Sequence, residues 1–138
     1  MKTAVIAKTV VQDEEGRVLL LRRSSTDIRR PGEWDFPGGS VDAGEGLAQG
    51  AAREIREEIG LVVTAEVMRL VYAATEAYPD ASVTRLLFAV TVKDAEVTVS
   101  EEHDAYQWVD IPTALKQFPH PFYSVGLAYA QKHSLLRP

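Results

Sequence analysis

The stretch from Gly39 to Leu61, GSVDAGEGLAQGAAREIREEIGL, constrains this chain more than any other. Its second half reads as a helix. Leu47, Ala48, Ala51, Ala52, Ile55 and Ile59 recur at helical spacing and form one apolar stripe. Gly60 stands just past the last periodic residue, where a left-handed stop is favoured. Glu54, Glu57 and Glu58 then project from one side of that helix. Their charges repel, and Arg53, one turn before Glu57, offsets part of the repulsion. Clustered carboxylate oxygens suit a hard divalent cation such as Mg²⁺. The plainer reading is a solvated acidic face. Against it stand the glycine-containing approach Phe36-Pro37-Gly38-Gly39 and a further acid, Glu45, near the helix start.

Gly39, Glu45, Arg53, Glu54, Ile55, Glu57, Glu58, Gly60 and Leu61 together resemble the Nudix box, with every fixed position matched. The resemblance implies a Nudix-type α/β/α sandwich with a mixed β-sheet between helices. It also implies divalent metal and hydrolysis of a nucleoside diphosphate linked to another group. In the family, the carbonyl just before the box glycine often ligates the metal, which maps onto Gly38. A further glutamate often precedes a tryptophan late in the chain. That maps onto Glu102 before Trp108, with Glu101 as the fallback. The run Trp34-Asp35-Phe36-Pro37-Gly38-Gly39 is similar to that of family members cleaving nucleoside triphosphates. Tyr78 lies where subgroup markers occur and resembles the group that hydrolyses dinucleoside polyphosphates.

Other site candidates keep two readings each. Arg22 and Arg23 are either a solvated strand end or a phosphate contact, because guanidinium is a planar fork of donors. Trp34 and Phe36 are core aromatics or a rim that stacks on a base. Glu45 binds metal or sits at the helix N-terminus, where negative charge is favoured. Arg53 reads as an organiser that holds the acids in register. His103 and Asp104 suggest a nucleophilic triad only weakly, since no serine sits in a Gly-x-Ser-x-Gly context.

Composition bounds the remaining classes. The 138 residues, 46% hydrophobic, fit a single domain over residues 1–138. There is no long apolar run for a membrane span and no adequate apolar stretch for a signal peptide. Cysteine is absent, which removes disulfide and thiol chemistry and is compatible with a cytoplasmic setting. The net charge is −5, so a long nucleic acid is not the expected partner. The local basic cluster Arg22, Arg23, Arg29 and Arg30 suits a small nucleotide with its metal better. A homodimer is compatible with all of this.

In chain order, Thr3 to Val11 and Arg17 to Leu21 read as strands joined in a hairpin at Asp13 to Gly16. Ser24 to Glu33 reads as a loop. Val62 to Thr64 is β-branched and reads as the start of a strand. From Glu66 to Ala77, Met68, Leu70 and Tyr72 alternate with Arg69, Val71 and Ala73 as in a half-exposed strand. Thr75 to Ser82 reads as a loop, Val83 to Val92 as a central strand, and Glu96 to Val99 as a brief one. Tyr106 to Val109 follows as a strand. Helices are expected over Thr113 to Phe118 and Phe122 to Leu136, with Asp110 as a cap and Pro112 near the helix start.

The expected chemistry is attack by water on a phosphorus of a bound pyrophosphate linkage. Mg²⁺, with Mn²⁺ able to substitute, would be held by Gly38, Glu54, Glu57, Glu58 and Glu102. Glu102 or Glu54 is the expected general base. The expected substrate is a nucleoside or deoxynucleoside triphosphate. A dinucleoside polyphosphate, a nucleotide sugar and a non-catalytic nucleotide-binding module are the alternatives.

Overall fold

In the computed structural model, which describes residues 1–137, a mixed sheet lies between one helix on one face and two on the other. The strands are β1 (Lys2–Gln12), β2 (Val18–Arg23), β3 (Trp34–Asp35), β4 (Gly38–Ser40), β5 (Arg69–Tyr78), β6 (Ala81–Thr91) and β7 (His103–Val109). The helices are α1 (Leu47–Ile59), α2 (Ile111–Ala114) and α3 (Pro121–Lys132).

Parallel pairing of β1 with β6 runs from Lys2 opposite Ala81 to Gln12 opposite Thr91 and forms the spine. The other edge of β1 is divided. Ile6 to Lys8 pair with β4, whereas only Gln12 pairs with β2, opposite Val18. The expected hairpin therefore exists at its turn and then opens, because β2 leaves β1 to pair with β3 and β7. That opening brings the β4 backbone beside the middle of β1.

Both faces of the sheet are covered, so its strands read as apolar runs rather than strict alternations. Leu19 and Leu21 face α1 with Ala7, Val11, Ile55 and Ile59. Leu20 faces the other way, with Val10, Leu87, Phe122 and Leu127. These leucines are 0% exposed, and burying each contributes about 1.5–3 kcal/mol.

Several local expectations give way to tertiary contacts. Val62 to Thr64 forms no strand, and Val62 is exposed. Leu70 is exposed although Met68 is buried, and the register shifts between Leu70 and Tyr72. The extra residue, Val71, turns inward. Thr75 to Ser82 is not a loop. Both strands continue to a tight turn at Pro79-Asp80, with Tyr78 opposite Ala81. Glu96 to Val99 is irregular, for a reason that belongs to the site. Leu47, expected in the helix stripe, is exposed at the first turn of α1. The short helix begins at Ile111 and ends at Ala114, with the Asp110 carboxylate accepting from the Thr113 N–H at 2.8 Å. Among the described residues no helix is long and apolar enough to cross a membrane.

Candidate active site

Helix α1 ends on Gly60, whose φ of 74° is left-handed and whose N–H bonds to the Arg56 carbonyl. The last carbonyls of a helix lack intrahelical donors. Here Thr98 N–H donates to Ile59 O at 3.1 Å, and Ser100 N–H to Glu58 O at 3.0 Å. This is why Glu96 to Val99 is not a strand: its donors complete a helix end. The same contacts bring Ser100, Glu101 and Glu102 opposite Glu54, Glu57 and Glu58, around an open pocket of about 340 Å³.

The three helix acids have different surroundings. Glu58 is 4% exposed and accepts the Gly38 N–H at 2.6 Å. Burial pushes its carboxyl up to about 8, with Glu54 and Asp35 adding to the shift and Lys8 and the Gly38 N–H opposing it. Burial also raises Glu54, against the opposing pull of Arg53. The Glu54 carboxylate occupies space that only a glycine leaves at position 39: a Cβ there would lie 2.7 Å from its Oε1. Glu57 is exposed, and its carboxylate accepts from Arg53 at 3.1 Å.

Arg53 ties this half of the site together. Its guanidinium donates to Glu45 at 2.7 and 3.1 Å, to Glu54 at 3.2 Å and to the Ser40 carbonyl at 3.0 Å. One fork thus links β4, the loop that precedes the helix, and two of the helix acids. Glu45 also accepts the Asp42 N–H at 3.0 Å, which folds that loop over the helix start.

Beneath the pocket lies a charge that the sequence reading missed. Lys8 is 4% exposed, and its ammonium donates to Asp35 at 3.0 Å and to the Phe36 and Gly38 carbonyls at 3.2 Å each. Gly38 is therefore held on both sides, its carbonyl by Lys8 and its N–H by Glu58. Burial opposes the ammonium charge, but Asp35, Tyr123 and Glu58 outweigh it and leave the Lys8 pKa raised. A lone lysine between Ala7 and Thr9 in an apolar strand was the available signal.

The expected substrate residues divide. Arg22 pairs with Asp104 at 2.7 Å and lies over the Trp34 ring, 5.9 Å from its centroid. Arg23 is turned inward, paired with Asp27 at 2.6 Å and with Asp35 at 3.4 Å. Trp34 is half-buried. Phe36 is 0% exposed and packs on Phe118 and Tyr123, so it is a core aromatic and offers no face to a base. Tyr78 is exposed at the β5–β6 turn, and its hydroxyl donates to Glu76, away from the acidic pocket. Asp104 is occupied by Arg22, and neither His103 ring nitrogen has a hydrogen-bond partner, so no serine triad assembles around them.

The donor set fits a divalent cation. Glu58, Glu102 and His103 place one ligand atom each within 4.8 Å of one another. Burial, aided by Lys8, holds the His103 imidazole below its usual pKa, in the neutral form that can ligate.

The family model described as the NUDIX domain matches residues 2–125. A relative from Myxococcus xanthus, an octanoyltransferase, is 44% identical over 86% of this chain, which spans only 33% of that protein's length. The nucleoside triphosphatase NudI of Klebsiella pneumoniae is 30% identical over 79% of this chain and 83% of its own. Among solved structures, the MutT protein of Methanosarcina mazei superposes with a TM-score of 0.82 at 28% identity, covering 96% of each chain.

Proposed function

The chain belongs to the Nudix family, and from that premise we propose that it is a divalent-metal-dependent pyrophosphohydrolase. Its substrate in this reading is a nucleoside or deoxynucleoside triphosphate, cleaved to the monophosphate and pyrophosphate. The observation that carries the reading is the single pocket between Glu54, Glu57 and Glu58 on α1 and Glu101 and Glu102 on the facing loop. The triphosphatase relative, matched over most of its length, supports the substrate class.

Glu54, Glu57, Glu58, Glu102 and the Gly38 carbonyl would hold Mg²⁺, with Mn²⁺ as a substitute. The Gly38 carbonyl keeps a second lone pair beside its bond from Lys8. When bound, the ion supplies neutralisation of charge on phosphate oxygens. Arg53 positions Glu54 and Glu57, and so fixes which oxygens face the pocket. Glu102, exposed at the rim, takes the proton from the attacking water, with Glu54 as the other group within the pocket. In this reading Arg22, only partly covered by Asp104, is the cation that meets an incoming phosphate.

The test is monophosphate release from a nucleotide panel, with Mg²⁺ present and then chelated. The triphosphates should show the highest kcat/KM, and chelation should abolish turnover. Undiminished turnover without metal sinks the assignment. A higher kcat/KM for a dinucleoside polyphosphate transfers the substrate to that class. Saturable binding with no turnover on any substrate makes the chain a binding module.

A further inference from the structure

One group beside the acidic pocket has no task in the proposed hydrolysis. His103 is 5% exposed, and both of its ring nitrogens are buried without a hydrogen-bond partner. A buried polar atom left in that state costs stability unless something else engages it. One ring nitrogen of His103 and carboxylate oxygens of Glu58 and Glu102 all lie within 4.8 Å of one another. Ligand atoms that share one small cation stand roughly 3 to 4.5 Å apart, given bonds of about 2.0–2.2 Å. The segment is also held in place. His103 N–H donates to Ser100 O at 3.2 Å, and Ser100 N–H donates to Glu58 O at 3.0 Å. Glu58 and His103 thus sit on elements already fastened to each other.

We propose that His103 is a nitrogen ligand to a divalent cation shared with Glu58 and Glu102, and that it makes the site favour Mn²⁺ over Mg²⁺. The inference rests on the reading of this pocket as a metal-dependent hydrolytic site. Mg²⁺ takes oxygen ligands almost exclusively and sheds water reluctantly. Imidazole favours first-row transition ions, and Mn²⁺ resembles Mg²⁺ in suiting carboxylate oxygens. A set of two carboxylates and one imidazole therefore selects for Mn²⁺ more than an all-oxygen set does.

Pulsed EPR of the whole chain with one equivalent of Mn²⁺ reads the ligand directly. The wild-type protein should show ¹⁴N coupling from imidazole, and His120→Gln, which lies outside the pocket, should retain it. His103→Gln and His103→Phe should lose it. One variant keeps a polar group and the other a planar ring, and the wild-type spectrum needs neither to fold. In parallel titrations both variants should lose about tenfold or more in Mn²⁺ affinity, with a smaller change for Mg²⁺. Stoichiometric Mn²⁺ without nitrogen coupling overturns the inference and leaves the hydrolase standing. Equal losses for the two ions overturn the preference. No binding of either ion overturns both the inference and the hydrolase.

Discussion

Glu58 carries a carboxyl group where water barely reaches, 4% exposed. Its folded pKa of about 8 lies above the ordinary 4.5. Between those values the folded chain keeps a proton that the unfolded chain has lost, so metal-free stability falls as pH rises through that window. Glu58→Gln keeps the acceptor for Gly38 N–H and removes the charge. In chelator its melting temperature should exceed wild type by an amount that grows from about pH 4.5 to 8 and is then constant. The gain at pH 8 is on the order of a few kcal/mol. Saturating Mg²⁺ should shrink or reverse it, because only the wild-type carboxylate binds the ion. Melting curves from pH 4 to 9, with and without metal, read both effects, and a flat difference across that range in chelator counts against the buried acid. The adjacent glycines should separate fold from site. A Cβ on Gly38, at φ 146°, would lie 2.1 Å from Ala7 O and 2.7 Å from Lys8 Cα, so Gly38→Ala should not fold stably. A Cβ on Gly39 would instead meet the end of the Glu54 side chain. Gly39→Ala should fold with a melting temperature near wild type, yet lose at least about tenfold in kcat through displacement of that carboxylate. Circular dichroism and single-substrate kinetics distinguish the two.

At the scale of elements, the fit of α3 against the sheet depends on a glycine that helix propensity disfavours. Gly126 faces Leu87 and the Tyr72 ring, and an added Cβ would come within 3.0 Å of each. Leu87 is fully buried, and Tyr72 is set between the rings of Phe122 and Tyr129. Gly126→Ala raises propensity by about 1 kcal/mol, but crowding of this kind costs about 1–3 kcal/mol. The expected result is a lower denaturation midpoint with an unchanged slope. A higher midpoint means that Tyr72 moves aside. The bulge at Val71 belongs to the same scale. It lets the adjacent residues Val71 and Tyr72 both pack on the α3 side, which a regular strand could not do with consecutive residues.

Across the whole molecule, the Lys8–Asp35 pair joins the central strand to the segment that carries Phe36 and Gly38. The side chains are 5% and 3% exposed. Lys8→Met alone leaves a buried carboxylate without its main partner and should cost about 3–5 kcal/mol. Lys8→Met with Asp35→Leu should recover most of that, since a well-packed apolar pair often matches a buried ion pair. Urea titrations of the double-mutant cycle give the coupling, and additive losses mean that the pair is not coupled. Activity need not return with stability, because the double variant still lacks the ammonium that holds the Gly38 carbonyl.

The features legible in the order of residues are local or periodic. The glutamate helix from Leu47 to Ile59, its stop at Gly60 and the central strand β6 all follow from spacing and composition over a few turns or pairs. The juxtaposition of Glu102 with the helix acids was also legible, through resemblance rather than periodicity. Long-range contacts set the rest. Whether Glu96 to Val99 joins a sheet depended on where the last carbonyls of α1 came to lie, which no window of sequence contains. The shared face of Val71 and Tyr72 depended on one unpaired residue in a ladder with β6. Phe36 and Lys8 became core and clamp because β2 parts from β1 and admits β4, and His103 came beside Glu58 because β7 pairs with β2. Side-chain type sets what a residue can do. Long-range pairing of backbone donors and acceptors sets which neighbours it meets, and so whether an arginine faces substrate or Asp35.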